Sequence, residues 1–269
     1  MSEDFLSGDA GEISGIRATS KAVVADAFAD SLELVRLQRR RLRRAARSGP
    51  PRHILALAIA RGEGLPSLLD QARGELMRSH HDVLFATAAA GDRGKFENLN
   101  DLLATQASGA FEWLLVLDDD VTLPAGFLDA FIFLAERFEL RLAQPAHRRR
   151  SHAAWKVTRR RPGSVVRETA FVEIGPVFAF HASTFDKLLP FPHSRFGWGL
   201  DSYWSALAGD NGWRLGVVDA TAIAHGVRRI ASGYDRDAAL QESREFLSDR
   251  PHISPADALR TLAVHRSWR

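Results

Sequence analysis

Trp113-Leu114-Leu115-Val116-Leu117-Asp118-Asp119-Asp120 joins an unbroken apolar run to three successive carboxylates. Such a run, ending abruptly in charge, reads as a strand buried on both faces, the kind a parallel sheet carries. Three carboxylates at its C-terminal end are a poor device for stability. Like charges that close repel, and they raise one another's pKa unless a cation neutralises them. They ask for a metal. The plainer reading is a solvated turn in which one Asp caps a helix beginning near Pro124.

Upstream, Ile54 to Ala60 is a second apolar run, followed by a helical pattern from Pro66 to Met77 and a strand from Asp82 to Ala88. A helix from Lys95 to Gln106, with Phe96, Leu99, Leu102 and Leu103 on one side, leads into the quoted stretch. Strand, helix, strand, helix, strand predicts an α/β sheet with right-handed crossovers, whose ligand crevice lies at the carboxyl ends of the strands. Downstream, the pattern predicts a helix over Pro124 to Arg137 and strands at Leu140 to Leu142, Val165 to Glu173, Val177 to His181 and Arg214 to Asp219. Helices are expected near Ser183 to Leu189, Leu200 to Leu207 and Asp235 to Ser248, and Ser254-Pro255 opens a last short one.

Residues 18–47 contain neither Pro nor Gly and space Val23, Val24, Phe28, Leu32, Val35 and Leu42 as an amphipathic helix would. That helix ends in Arg39-Arg40-Arg41-Leu42-Arg43-Arg44, and Ser48-Gly49-Pro50-Pro51 stops it. The basic run from Arg36 to Arg47 reads either as a solvated face or as a peripheral contact with an anionic membrane or a partner.

Composition narrows the classes. The 269 residues are 45% hydrophobic, enough for a sizeable core. The absence of Cys removes disulfides, thiolate metal sites, iron–sulfur clusters and cysteine nucleophiles together, and points to a reducing compartment. No apolar stretch approaches the ~20 residues that cross a bilayer, and the opening Met1-Ser2-Glu3-Asp4 is acidic where a signal peptide is basic. A cytoplasmic protein is expected, with membrane association only at its surface. Lys and Arg total 36 against 33 acids, for a net charge of +3, yet only four of the bases are Lys. Arg clusters of this kind suit phosphate or anionic lipid, while so small a net charge does not imply a nucleic-acid partner.

The ordered set of motifs resembles GT-A-type nucleotide-sugar glycosyltransferases. It consists of a strand leading to Asp118-Asp119-Asp120, two βα units before it, then Gly197-Trp198-Gly199-Leu200-Asp201, then Gly216-Val217-Val218-Asp219 on the way to His225. With Val172-Glu173-Ile174-Gly175-Pro176-Val177-Phe178, these segments are similar to a little-characterised branch of that superfamily found in plants and bacteria. The resemblance spans about residues 53–230. It implies a GT-A-like, mostly parallel sheet flanked by helices over 51–250, with a basic helical extension over 1–50 and a helical tail over 251–269. One departure stands out: Ala60-Arg61-Gly62-Glu63-Gly64 replaces the Pro and polar turn with which many relatives leave their first strand.

The resemblance also implies roles. Asp120 and His225 would hold Mn2+ or Mg2+, with Asp118 nearer the nucleotide ribose. Asp201 would be the general base of an inverting transfer from a nucleoside-diphosphate sugar to a carbohydrate or glycolipid hydroxyl. Asp201 also suits a helix cap, and the two jobs are compatible. Trp198 between two glycines offers an aromatic face for an acceptor sugar, or plain core. Lys95, Arg167 and Arg195 are candidates to hold the diphosphate. Two alternatives remain at this point. The stretch Leu115 to Thr122 also fits a haloacid-dehalogenase-like phosphatase with Asp118 as nucleophile and Asp120 as acid, although Gly209-Asp210 is followed by Arg214 where that family needs an acid. The other alternative is a non-catalytic binding module built on the Arg-rich helix.

Overall fold

The computed structural model describes residues 16–35, 38–61, 66–106, 111–225 and 235–269. Its first elements follow the expected alternation: β1 (His53–Ala60), α3 (Pro66–Leu76), β2 (Asp82–Ala89), α4 (Lys95–Thr105) and β3 (Trp113–Asp118), preceded by α1 (Ile16–Val35) and α2 (Gln38–Ala46). Then come β4 (Val121–Thr122), α5 (Phe127–Arg137), β5 (Leu140–His147), β6 (Val166–Thr169), β7 (Val177–His181), α6 (Phe185–Leu188), α7 (Leu200–Asp210), β8 (Arg214–His225), α8 (Arg236–Leu247), α9 (Pro255–Ala258) and β9 (Thr261–His265).

The strands form one sheet in the order β2-β1-β3-β7-β5-β8-β6-β9, with β4 paired to β8 beside this path. β2, β1 and β3 run parallel, β7 runs against them, and β5 and β8 are again parallel to each other. β6 is antiparallel to β8, and β9 is antiparallel to β6. The sheet is therefore mixed, with β1, β2, β3, β5, β8 and β9 pointing one way and β4, β6 and β7 the other. Alternation along each strand feeds two layers, because successive side chains point to opposite faces. Ile54, Ala56, Ala58, Trp113, Leu115 and Leu117 pack with Phe127 and Phe131 on one face. Leu55, Leu57, Ile59, Leu114 and Val116 pack with Phe96, Leu200, Trp204 and Leu247 on the other.

Several elements differ from the sequence reading in ways with physical causes. The expected helix over 18–47 is helical over Ile16–Val35 and Gln38–Ala46, and residues 36–37 between them lie outside the described segments. β5 continues five residues beyond Leu142, and β8 six beyond Asp219, because each edge is paired with the other and the ladder outlasts the apolar signal. The expected helical tail carries, besides the short α9, a strand that extends the sheet at β6.

α2 is docked on the sheet domain. Leu42 is 2% exposed and belongs to the same core as Phe127 and Phe131 of α5, and Arg43 and Arg47 donate to the Ala125 carbonyl and the Asp129 carboxylate. Leu42→Ala should therefore cost about 2–5 kcal/mol in chemical denaturation, as for other buried leucines. A loss well under 1 kcal/mol would show that α2 contributes no core.

Candidate active site

β3 delivers Asp118 as its last residue, and the chain then turns through Asp119 and Asp120 into the two-residue β4. β4 pairs antiparallel with the end of β8, setting Val121 opposite His225. That pairing brings the late histidine to the acidic turn. His225 Nε2 lies 3.1 Å from Asp120 Oδ1, and ligand-capable atoms of Asp118, Asp120 and His225 all fall within 4.8 Å of one another. The histidine is fixed at its backbone, where its N–H donates to Ser151 Oγ at 3.1 Å and its carbonyl accepts from His152 N–H at 2.7 Å. Burial disfavours a charge on this imidazole, but the Asp120 carboxylate and the nearby Asp118 outweigh it and raise the pKa of His225.

The three aspartates take three different roles. Asp119 turns away from the other two and accepts the Arg61 N–H at 2.8 Å, tying the end of β1 to the acidic turn. Asp120 is buried, at 3% exposure, and Asp118 accepts from Lys95 Nζ at 2.6 Å. Lys95 opens α4, where the Gly94 N–H donates to Glu97 at 2.7 Å. Its ammonium also reaches the Gly175 carbonyl at 3.4 Å and sits 5.6 Å from the centre of the Phe178 ring. A cation is thus held against the acidic cluster by the chain itself.

The segment 173–176 connects this cluster to the second acidic position. Pro176 O accepts the Asp118 N–H at 2.8 Å, Gly175 O faces Lys95, and the Ile174 N–H donates to the Asp201 carboxylate. Asp201 lies in the first turn of α7, whose N-cap is Gly199 rather than an acid. Gly197 and Gly199 have φ of +80° and +92°, a left-handed backbone that glycine adopts freely, and a Cβ at Gly197 would fall 2.2 Å from the Phe96 ring. Asp201 accepts from the Ser202 N–H at 2.9 Å. Burial, opposed in part by these N–H donors and reinforced by the negative charge of Glu173, pushes its pKa up to about 7.

Glu173 had no assigned role in the sequence and is a central buried group. Its carboxylate lies 3.5 Å from His147 Nε2 and accepts the Ala154 N–H at 3.2 Å, and these partners overcome burial and lower its pKa. The available signal was an acid set inside the apolar run Phe171 to Val177.

Other candidates sit elsewhere. Arg167 is buried in a pair with Asp219, at 2.8 Å and 3.0 Å, and its remaining donors serve the Val157 and Arg159 carbonyls. Each of its three guanidinium nitrogens is engaged in this internal network, and none of these bonds goes to the acidic turn. Trp198 is 8% exposed and packs among Ile174, Phe196, Ala239 and Leu240, so the core half of its two readings describes its surroundings. Arg195 has an exposed side chain, and its carbonyl packs so closely on Gly94 that a Cβ there would lie 2.4 Å away. The Gly62 to Gly64 part of the departing turn after β1 lies outside the described residues.

A second group of ligand types, His80, His81 and Asp129, has a different chemistry. Asp129 accepts from Arg47 Nε at 2.8 Å, from the His80 N–H at 3.1 Å and from the Ser79 hydroxyl. His81 Nδ1 accepts the Arg52 N–H at 3.1 Å, which leaves the proton of the neutral ring on Nε2 and no lone pair there. Burial works against the charge on Asp129, yet its donors hold the pKa at about 2, and burial together with His80 lowers His81 to about 4. This is a knot that ties α2, α5 and the turn before β2.

No protein-family profile and no curated protein sequence matches the chain. Solved structures do resemble it. GalNAc-T7 with UDP, GalNAc and Mn2+ aligns at TM-score 0.54 and 10% identity over 74% of this chain and 48% of its own. The chain therefore spans about half the length of that neighbour. S. aureus TarS 1–349 with UDP-GlcNAc aligns at 0.51 and 12% identity, covering 76% of this chain and 68% of its own. The mannosyltransferase PcManGT from Pyrobaculum calidifontis, with GDP-Man and Mn2+, aligns at 0.50 and 14% identity over 90% of this chain and 79% of its own. The fold is GT-A. Within the GT-A fold, the acidic turn after β3 and the end of β8 meet at the carboxyl edge of the sheet, where open α/β sheets place their ligands. The same fold leaves the haloacid-dehalogenase alternative without support.

Proposed function

We propose that the chain is a metal-dependent glycosyltransferase that moves a sugar from a nucleoside-diphosphate sugar to the hydroxyl of a carbohydrate or glycolipid acceptor, with inversion. The observation that carries this reading is the convergence of Asp118, Asp120 and His225 within 4.8 Å at the carboxyl ends of β3 and β8. Two carboxylates and an imidazole make a mixed oxygen and nitrogen donor set that fits Mn2+ or Mg2+. Asp120 and His225 would hold the ion, with Asp118 beside them toward the donor. Bound there, a divalent ion neutralises charge on the departing diphosphate. The neighbours solved with UDP, UDP-GlcNAc or GDP-Man support a nucleotide-sugar donor through fold likeness. The catalytic unit in this reading is 51–250, with α1, α2 and the 251–269 segment packed against it.

The chain's own residues divide the remaining work. Lys95 supplies a fixed ammonium at Asp118, positioned to meet diphosphate oxygens, with the exposed Arg195 on the neighbouring loop as a second cation. Asp201 takes the proton of the acceptor hydroxyl as that oxygen attacks the anomeric carbon, while the bond from that carbon to the diphosphate oxygen breaks on the opposite face. A carboxyl group with a pKa near 7 is matched to that task at neutral pH. Burial, with the charge of Glu173 as a smaller contribution, keeps the proton affinity of Asp201 high.

Incubation with a panel of UDP, GDP and dTDP sugars and Mn2+ tests this reading even before the acceptor is known, because water attacks slowly in its place. Nucleoside diphosphate should be released from one nucleotide class and not in chelator. Release from none of the panel would overturn the reading. Once an acceptor is found, a product that keeps the donor's anomeric configuration would remove the base role from Asp201.

A further inference from the structure

α1 is built inside out. Its three acids, Asp26, Asp30 and Glu33, face the protein together with Ala22 and Ala29, at the three- and four-residue steps of one helix face. Each acid is consumed there. Asp26 accepts the backbone N–H groups of Arg149 and Arg150 at 2.9 and 3.0 Å. Asp30 pairs with Arg148 at 2.9 Å, Arg160 at 2.8 Å and Arg39 at 2.6 Å, and Glu33 pairs with Arg39 at 2.8 Å and with Arg160. The opposite face is left to apolar side chains. Val24, Phe28 and Val35 form a stripe at 67%, 63% and 81% exposure, and Leu34 is exposed beside it at 74%. A helix on a soluble protein ordinarily turns these faces the other way, and large exposed apolar patches mark interaction surfaces.

α2 adds charge of one sign. It contains no acid, its Leu42 and Ala46 face inward, and Arg40 and Arg44 lie on the opposite side of the helix. Arg40, Arg41 and Arg44 are exposed and have no ion-pair partner among the described residues. Arg44 also borders a cleft of about 610 Å³ lined by Arg43, Arg47 and Arg78 together with Glu75 and Asp129, which pair with Arg78 and Arg47. The outward faces of the two helices therefore present apolar groups and cations, with Arg17 and Lys21 also exposed and every acid of α1 turned in.

We propose that α1 and α2 together form a docking surface for an anionic lipid bilayer, with the Val24, Phe28 and Val35 stripe lying in the headgroup boundary and the α2 arginines on the lipid phosphates. An anionic bilayer offers an apolar layer beneath a plane of phosphates, which matches an apolar stripe flanked by arginines. A second copy would oppose arginine-rich faces to each other, and a nucleic acid would leave the apolar stripe unserved. None of the residues of this surface belongs to the acidic cluster, so the inference stands independently of the sugar-transfer reading.

The test is co-sedimentation of the full chain with vesicles. The parent should bind vesicles of equal phosphatidylcholine and phosphatidylglycerol, release at high salt, and ignore phosphatidylcholine alone. Arg40→Ala, Arg41→Ala and Arg44→Ala combined should weaken binding about a hundredfold, at roughly fivefold per arginine. Val24→Ser with Phe28→Ser should weaken it by about tenfold or more. Both variants should keep the parent's circular dichroism and melting temperature, since these side chains are exposed. Failure of the parent to bind the mixed vesicles, or variants that bind them equally well, would overturn the proposal. So would a dimer in sedimentation velocity that Phe28→Ser splits, or an oligonucleotide bound more tightly than the vesicles.

Discussion

Asp201→Asn should bind donor nucleotide as the parent does and lose at least about a hundredfold in turnover, the lower bound for removing a general base. Asn keeps the volume and can still accept from the Ile174 and Ser202 N–H groups, but it cannot take a proton. The parent's turnover should rise with pH through about 7, as burial and the charge of Glu173 delay ionisation of Asp201, and this limb should vanish in the variant. Stability should move the other way. Because the folded-state pKa lies above the ordinary 3.8, the folded protein holds a proton that the unfolded chain has released, so this group's contribution is intact below pH 3.8 and is lost as pH rises through about 7. Asp201→Asn should therefore be more stable than the parent above pH 7, by a few kcal/mol at about 1.4 per pKa unit, and little different near pH 4. Near-parental turnover in the variant would reduce Asp201 to a structural acid.

Asp120→Ala is the second large effect. Asp120 is almost fully buried with His225 against it, so its removal deletes one of three clustered donors and strands the imidazole. Metal-dependent stabilisation by nucleoside diphosphate should be largely lost, with affinity falling at least about a hundredfold, which removes about 2.3 of the parent's about 2.7 kcal/mol of ligand stabilisation at a concentration that is a hundred times the parent's Kd. The contrast with Asp201→Asn separates binding from chemistry. If Asp120→Ala retained full metal dependence, the ion would have to be held elsewhere.

The half of the site on β3 was legible because a long apolar run ending in three acids is a strong and local signal. His225 was reachable only through the order of motifs. What brings it to Asp120 is a two-residue strand, Val121–Thr122, too short to leave any periodicity. Arg167 shows the opposite difficulty. Among 32 arginines nothing local reveals that this one is buried, and its partner Asp219 lies 52 residues away on another strand. Glu173 was visible as an acid in an apolar run, but its partner His147 sits on a strand that was read as ending at Leu142. Which face α1 turns to the protein was not legible for a related reason. Apolar periodicity assumes that acids face water, whereas Arg148 and Arg160, more than a hundred residues downstream, supply partners that let them face in.

The central claim is that Asp118, Asp120 and His225 form one metal-dependent site for a nucleoside diphosphate. Titration calorimetry of the parent with UDP, GDP and dTDP, in Mn2+ and then in chelator, tests it most directly. Tight binding of one diphosphate in Mn2+, weakened at least about a hundredfold by chelator, is the predicted result. Equal binding in both conditions, or no binding of any of the three, would contradict it.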